Sequence, residues 1–480
     1  MDVMDSLAKQ LPRITKAACA YWNRKARFHP LPPLPDGIWD AQSEPGGHYT
    51  VGFGRAPFTP GDVESKTYWL AGYGTDRPAK SVHSDVCASA VYLDDNTGRG
   101  ALLLISLDCV GLLRDDVLVI RRRLAGFCGR TGCRAVNVCS THCHAGPDTM
   151  GLWGQFPKSG RDPAFMEGLY WAACIAAEQA YARRKDGKLY AGSIEADGIQ
   201  KDIRHPEVFC KTLTRLRFVP GDGSKETWVL NFAAHPEVMD QRNSAISADY
   251  VHFLRQKVEA ERDARVIYFN GAIGGMITPI EIDKDDFMAS VQWAGEEIAK
   301  AAMRIENERE LRPLVNMIRQ ELYIDLANVL FFVGGLVGLM PRERYATGEG
   351  PLGISVLTEM NYIEIDDVHI LTVPGELFPE LQLGGYLPIE EASMGGPEMN
   401  PPPLREMAKD PGLIVFGLGN DELGYMLPPN DYMLHPEKPF LEEPIDRHGR
   451  KHYEETNSAG PMTAVRVAQA FERILRIIGR

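Results

Sequence analysis

The sequence lacks any block of Lys and Arg with interleaved aromatics. Its 52 Lys+Arg stand against 65 Asp+Glu, a formal net charge of −13, which argues against a nucleic-acid partner. No long apolar run is present either. The greasiest stretch, Ala327 to Met340, is shorter than the ~20 residues that span a bilayer. Met1 to Phe28 intersperses Lys9, Arg13, Lys16, Arg24 and Lys25 with short apolar steps. It has no continuous apolar core of a secretion signal, so the expected compartment is the cytoplasm. Cys128, Cys133, Cys139 and Cys143 are separated by four, five and three residues. Those gaps are not paired CxxC knuckles, and the nine cysteines are expected to be buried free thiols. Nucleotide loops are missing as well: the glycines of Gly417 to Gly424 follow neither GxGxxG nor P-loop spacing and are expected to allow close backbone packing. The turn from Asn270 to Pro279 has no GxSxG elbow, which excludes the usual serine-hydrolase pattern. No repeat at solenoid periods is found.

What is present is ordinary globular material, 44% hydrophobic and 24% charged, long enough for two to four domains or one large one with insertions. Strand patterns fall at Tyr49–Gly54, Ala88–Leu93, Ala101–Cys109, Ala135–Val138, Leu189–Ile194, Thr212–Phe218, Trp228–Ala234, Val266–Asn270, Met317–Ile324, Asn361–Ile365 and His369–Val373. Helical periodicity marks Asp115–Phe127, Ala164–Arg184, Asp249–Glu261, Asp285–Met303 and Met462–Ile478. The elements alternate loosely, so the fold class is α/β, shading into α+β, with a mixed sheet and flanking helices. Residues 1–47 read as an extension: a helix, then the Pro-rich strap His29 to Pro35. Ala327–Met340 is expected to be buried core, with a hairpin, a pocket lid or a shallow membrane contact as alternatives.

The chemistry gathers at strand ends. Ser140-Thr141-His142-Cys143-His144-Ala145-Gly146-Pro147-Asp148 follows the strand Ala135–Val138, and Gly146-Pro147 turns the chain. Two imidazoles at a spacing of two share one face if the strand stays extended, a placement suited to metal binding or proton transfer. His235 ends the strand from Val229 to Ala234 just before Pro236, and Glu376 leaves another through Pro374-Gly375. Alone, Glu376 reads as a helix-start carboxylate. Two histidines and a glutamate in the same setting instead form the donor set of a catalytic zinc site with an open position.

In this order, the segments resemble the neutral/alkaline (non-lysosomal) ceramidase family of zinc amidases. The likeness begins at Thr50 to Pro60 and Leu70 to Gly74, and continues through His83-Ser84-Asp85 and Ser106-Leu107-Asp108. Thr141 to Pro147 is similar to the family's T-H-T-H-S-G-P. Asn231 to Pro236, Pro374 to Leu377, Gly424-Tyr425, Tyr453-Glu454 and Gly460-Pro461 complete the ordered set. The resemblance implies zinc held by His142, His235, Glu376 and Tyr425. It makes His144 the proton-transfer group and Tyr453 a hydroxyl for the substrate carbonyl or leaving amine. Thr278 stands where the family has a serine, after one extra residue.

What the resemblance implies is a catalytic domain over 48–480, with an apolar insertion near 327–340 and without the family's immunoglobulin-like C-terminal domain. The activity expected is cleavage of a carboxamide (N-acyl amine) bond through a metal-activated water. An esterase or lactonase acting on a small molecule, or a catalytically silent metal-binding protein, are the rivals. The cofactor expected is Zn²⁺, and the partner a small-molecule or lipid-like amide. Asp148 is expected to put charge at the mouth of the site. That charge and the overall acidity favour a smaller, water-accessible amide over membrane-presented ceramide, and make membrane contact the less favoured reading. A homo-oligomer is compatible with this composition.

Overall fold

The computed structural model describes residue 13 and residues 16–21, 30–31, 36–155 and 157–480. Most of the expected N-terminal helix and Pro-rich strap lies outside the described residues. Two sheets dominate. The larger has nine strands in the order Ala264–Asn270, Glu226–Phe232, Thr212–Pro220, Lys185–Glu195, Tyr49–Pro57, Cys87–Asp94, Ala101–Leu107 and Cys133–Ser140, with Arg309–Leu311 paired to Lys185–Glu195. The smaller has six: Asp36–Ile38, Val315–Asp325, Ile354–Ile365, Val368–Thr372 and Ile414–Phe416 in order, with Tyr345–Ala346 added to Ile354–Ile365. The mixed α/β class expected from the sequence is the class observed.

Strand periodicity explains how the layers stack. In Ala101–Leu107, Leu103, Ile105 and Leu107 face the helices, while Leu102 and Leu104 face the smaller sheet. Ile363 and Ile365 of the smaller sheet meet them from the other side, and Val356, Met360 and Tyr362 turn away toward the C-terminal helix Thr463–Ile478. The result is helix, sheet, sheet, helix. Phe269 and Phe416 stack across the two sheets with ring centroids 4.3 Å apart, a contact worth ~0.5–1.5 kcal/mol beyond its buried area. The helix Pro163–Ala182 starts where Asp162 accepts the Phe165 N–H at 2.9 Å and Pro163 fixes the first turn. It lies so close on Tyr49–Pro57 that a Cβ at Gly52 or Gly54 would collide with the carbonyls of Ala180 and Ala176.

Within the two large sheets three neighbouring pairs run parallel: Ala101–Leu107 with Cys133–Ser140, Glu226–Phe232 with Ala264–Asn270, and Val368–Thr372 with Ile414–Phe416. Each needs a crossover, and all three contain helices, the third the short Pro379–Leu383 and Leu404–Ala408. The single helix expected over Asp115–Phe127 is two, Arg114–Arg123 and Ala125–Thr131, meeting at buried Leu124. The second carries Gly126 and Gly129, poor helix formers that keep it short. Helix Tyr250–Glu261 is tied to the sheet by Arg255, which grips Asp108 bidentately at 2.6 and 2.9 Å with both side chains buried. Asp108 also accepts the Cys87 N–H at 2.9 Å. Arg255→Met strands that carboxylate and should cost about 3–5 kcal/mol of unfolding free energy in a denaturant titration. A loss below ~1 kcal/mol would show the pair to be dispensable.

The apolar stretch Ala327–Met340 differs from the buried core expected. Asn328 caps a short helix, Val329–Leu336, accepting the Leu330 and Phe331 N–H groups at 2.9 and 3.3 Å. Phe332 is fully buried, but Leu336 and Val337 are exposed and Phe331 and Met340 face a cavity. Two glycines in eight residues leave too little side chain to bury every face. Among the described residues, no helix is long and apolar enough to cross a membrane. All nine cysteines are free, and all but Cys128 and Cys210 are buried.

Candidate metal and catalytic site

The site forms where strands of both sheets end. Cys133–Ser140 stops at Ser140, and His142 takes a left-handed backbone with φ of 68°. The extended-strand route to a shared face is therefore not the one used. A non-glycine residue in this region is uncommon and costs of order 1–3 kcal/mol unless its surroundings enforce it. Asn270, at the end of its own strand, supplies part of that enforcement. Its Nδ2 donates to the Thr141 carbonyl at 2.9 Å, and its Oδ1 accepts the Ala234 N–H at 3.1 Å. One side chain thereby ties the His142 loop to the His235 loop.

Glu376 reaches the site differently from the helix start expected. Pro374 and Gly375, with Pro379 following, keep this segment extended. Glu376–Leu377 pairs parallel with Tyr425–Met426, in a register that sets Glu376 directly beside Tyr425. The helix begins only at Pro379.

The three imidazoles cluster, with ring centroids 4.7 Å apart for His142–His144, 5.0 Å for His142–His235 and 5.8 Å for His144–His235. His142 donates from Nδ1 to the Val110 carbonyl at 2.6 Å, and His235 from Nδ1 to the Ile277 carbonyl at 2.7 Å. A carbonyl only accepts, so each ring carries a proton on Nδ1 and turns its Nε2 toward the cluster. Those Nε2 atoms lie 3.4 and 3.0 Å from the same oxygen of Glu376, Oε2. Two imidazole nitrogens and a carboxylate oxygen meeting in a buried space need positive charge among them, which a proton on His235 Nε2 supplies here and a bound cation would replace. Burial works against a charged His235, yet Glu237 and Glu376 outweigh it and hold its pKa up at about 9. Burial likewise opposes ionised Glu376, and His142 and His235 overcome it, keeping the carboxyl well below its usual range. The donor set fits a metal cation: one ligating atom from each of His142, His144 and His235 lies within 4.8 Å of the others.

His144 has different surroundings from the other two. Neither ring nitrogen has a hydrogen-bond partner, although Nδ1 lies 3.4 Å from Glu237 Oε2. Tyr73 meets the ring edge-on at 5.2 Å, and a Cβ on Gly72 would overlap it. Burial, then the neighbouring His142 and His235, push its pKa well below 6.5, which keeps the ring neutral.

Tyr425 is buried beside Glu376, its hydroxyl 3.0 Å from Met276 Sδ, and burial followed by Glu376 pushes the phenol well above 10. Tyr453 is 45% exposed, with its ring 6.5 Å from that of Tyr425. Desolvation by the pocket walls, then Glu376, raises it to about 12. Both tyrosines line a narrow cavity of ≈ 70 Å³ together with His142, His144 and Glu376. Thr278 is not on this wall. It sits buried in a two-residue strand opposite Lys201, and Met276 is the residue of that turn that reaches Tyr425. Asp148 is corrected too. It is wholly buried, accepting the N–H groups of Met150, Gly151 and Trp153 at 2.7 to 2.9 Å, and organises its loop instead of charging the mouth.

Sequence reasoning missed Glu422, a buried carboxyl on the cavity wall that burial and Glu376 push well above its usual range. It missed Glu237 behind His144 as well. The apolar wall of Met150, Leu152, Trp153, Phe331 and Met340 was visible only as one hydrophobic stretch.

The fold is ceramidase-like. Neutral ceramidase from Pseudomonas aeruginosa is similar at a TM-score of 0.66 and 16% identity, over 88% of this chain and 73% of that one. A ceramidase complexed with C2 is similar at a TM-score of 0.64 and 16% identity, over 88% and 74% of the two chains. No protein-family model matches the chain, and no curated protein does so significantly.

Proposed function

We propose that the protein is a zinc-dependent hydrolase that cleaves the carboxamide bond of an N-acyl amine. The observation that carries this reading is the convergence of His142 Nε2 and His235 Nε2 on Glu376 Oε2, with both Nδ1 atoms already committed to carbonyls. Tyr425, registered beside Glu376, is the fourth ligand. Zinc held there supplies a Lewis acid that polarises a carbonyl and lowers the pKa of water. Tyr425, held neutral by burial, would give up its proton only to ligate such a cation.

The remaining chemistry belongs to the chain. His144 keeps Nδ1 toward Glu237 and takes a proton from attacking water at Nε2, a role its neutrality at pH 7 allows. The Tyr453 hydroxyl donates to the carbonyl oxygen as charge develops, or to the departing amine. Met150, Trp153, Phe331 and Met340 exclude water and receive the acyl group. This apolar wall, together with the burial of Asp148, favours a lipid-like acyl chain over the smaller, water-accessible amide expected from the sequence.

The test is elemental analysis of the purified chain, with turnover measured on N-acyl amines, esters and lactones. About one zinc per chain and preferential amide cleavage are expected. A protein free of transition metal, or one that turns over esters alone, would defeat the reading. Phe331→Ser should lower kcat/KM for an octanoyl amide ~10-fold relative to the acetyl amide, since lost apolar contacts in a pocket discriminate by ~10–200-fold. An unchanged chain-length profile would remove Phe331 from the acyl pocket.

A further inference from the structure

A second cavity, of ≈ 430 Å³ against ≈ 70 Å³ for the catalytic one, shares no lining residue with it. Its lining comes from both large sheets, Thr214 and Asn231 from one and Val368 and Ile414 from the other, and from two short helices that bring in Gln382 and Arg405. The carboxylates around it are already engaged. Asp367 holds Arg309 at 2.7 and 2.9 Å, Asp410 pairs with His369 at 2.6 Å, and Glu195 accepts the Thr212 hydroxyl at 2.7 Å. Arg405 has no carboxylate partner among the described residues. Its Nε donates to the Leu413 carbonyl at 3.3 Å and its Nη2 to Cys210 Sγ at 3.6 Å, which leaves Nη1 without an acceptor. The same Leu413 carbonyl accepts from Gln382 Nε2 at 3.0 Å. That bond fixes the amide orientation, because a flipped amide would set two carbonyl oxygens together. Gln382 Oε1 is then buried with no partner, in a residue only 2% exposed. One carbonyl thus holds a guanidinium and an amide oxygen side by side, a donor fork and an acceptor both left incompletely satisfied.

We propose that this cavity is a second ligand site, for a small carboxylate whose neighbouring carbon carries an O–H or N–H donor. The carboxylate lies on the Arg405 fork, and the donor meets Gln382 Oε1. A guanidinium is planar and always charged, and its fork matches a carboxylate in both geometry and sign. A neutral ligand leaves that charge without a counterion in the cavity. Gln382 Oε1 only accepts, so it adds nothing for a bare carboxylate and selects the hydroxy or amino acid. The volume is ample for a small-molecule ligand. This site is independent of the amide chemistry at the histidine cluster, and it stands or falls without it.

Mandelate, phenylglycine, phenylacetate and phenylacetamide share one skeleton and differ only in the groups this site reads. Their Kd values on the full chain come from calorimetry, and their location from protection of Cys210 against iodoacetamide. Cys128, the other cysteine that is not buried, is the internal control. In the wild type phenylacetate should bind and slow the labelling of Cys210 but not of Cys128, while phenylacetamide does neither. Mandelate or phenylglycine should bind on the order of 10-fold more tightly than phenylacetate, and these two arms distinguish a hydroxyl from an ammonium. Arg405→Met should weaken every carboxylate by ~10–100-fold. Gln382→Met should bring the advantage of the donor-bearing acids to within about twofold. Phenylacetamide binding as well as phenylacetate, a wild type that ranks phenylacetate first, or carboxylate binding kept in Arg405→Met overturns the proposal. So does a carboxylate that binds and leaves Cys210 labelling unchanged, because it then sits elsewhere, the proposed zinc included. Should either variant fail to fold, the wild-type order and the Cys210 protection decide it; should Cys210 prove unreactive, the calorimetric loss in Arg405→Met does.

Discussion

Replacing His142 by Ala should empty the site of the proposed zinc, whereas replacing His144 by Ala should leave it bound and lower kcat ~10²–10⁴-fold, the usual scale for a general acid–base group. The geometry separates these two residues, only two positions apart. His142 is anchored through Nδ1 to the Val110 carbonyl, which aims its Nε2 at Glu376. His144 has only Glu237 near its Nδ1, at 3.4 Å and without a formed hydrogen bond, and lies against Tyr73 and Gly72. Oriented ligands are the ones a metal site keeps, because the bond to the second nitrogen fixes both ring direction and proton position. Metal content of both variants, measured beside kcat, checks the division. Equal metal loss would make His144 a ligand, an outcome the spacing of the three rings makes geometrically accessible.

How much of this was legible beforehand depends on whether a feature is local. The alternating strands and amphipathic helices were readable because burial imposes a period on neighbouring residues. Three strand-end residues, His142, His235 and Glu376, were readable because Pro or Gly marks each break. The route by which they meet was not. A sequence shows that Gly375 interrupts a strand, but not that Glu376 then pairs in register with Tyr425. Nor does it show that His142 converges on the site through a left-handed backbone. Asp148 was misplaced for the same reason: a carboxylate after Gly-Pro looks solvated until three backbone N–H groups are folded around it. Glu422 could have been noticed as an acidic residue three positions before a ligand candidate, but only the cavity distinguishes it from Asp421 beside it.

Tyr453→Phe should lower kcat ~10²–10³-fold, the scale of removing one donor to a developing oxyanion, with metal content unchanged. Its hydroxyl is on an exposed ring at the cavity, so the substitution leaves no buried group unpaired and melting should hardly move. What fixes the ring lies just after it in the chain. Glu454 and Glu455 open a short 3-10 turn, and Arg204 clamps them at 2.6 and 2.9 Å while also reaching Asp431 at 3.1 Å. Removing that guanidinium leaves three buried carboxylates without their shared cation. Arg204→Met should therefore cost about 3–5 kcal/mol of stability and lower kcat as well, by loosening the seat of Tyr453. The two variants separate direct from indirect roles: Tyr453→Phe affects rate alone, and Arg204→Met affects rate and unfolding together. Near-wild-type kcat in Tyr453→Phe, on a substrate whose chemistry is rate-limiting, would remove the phenol from the mechanism and leave carbonyl polarisation to the metal.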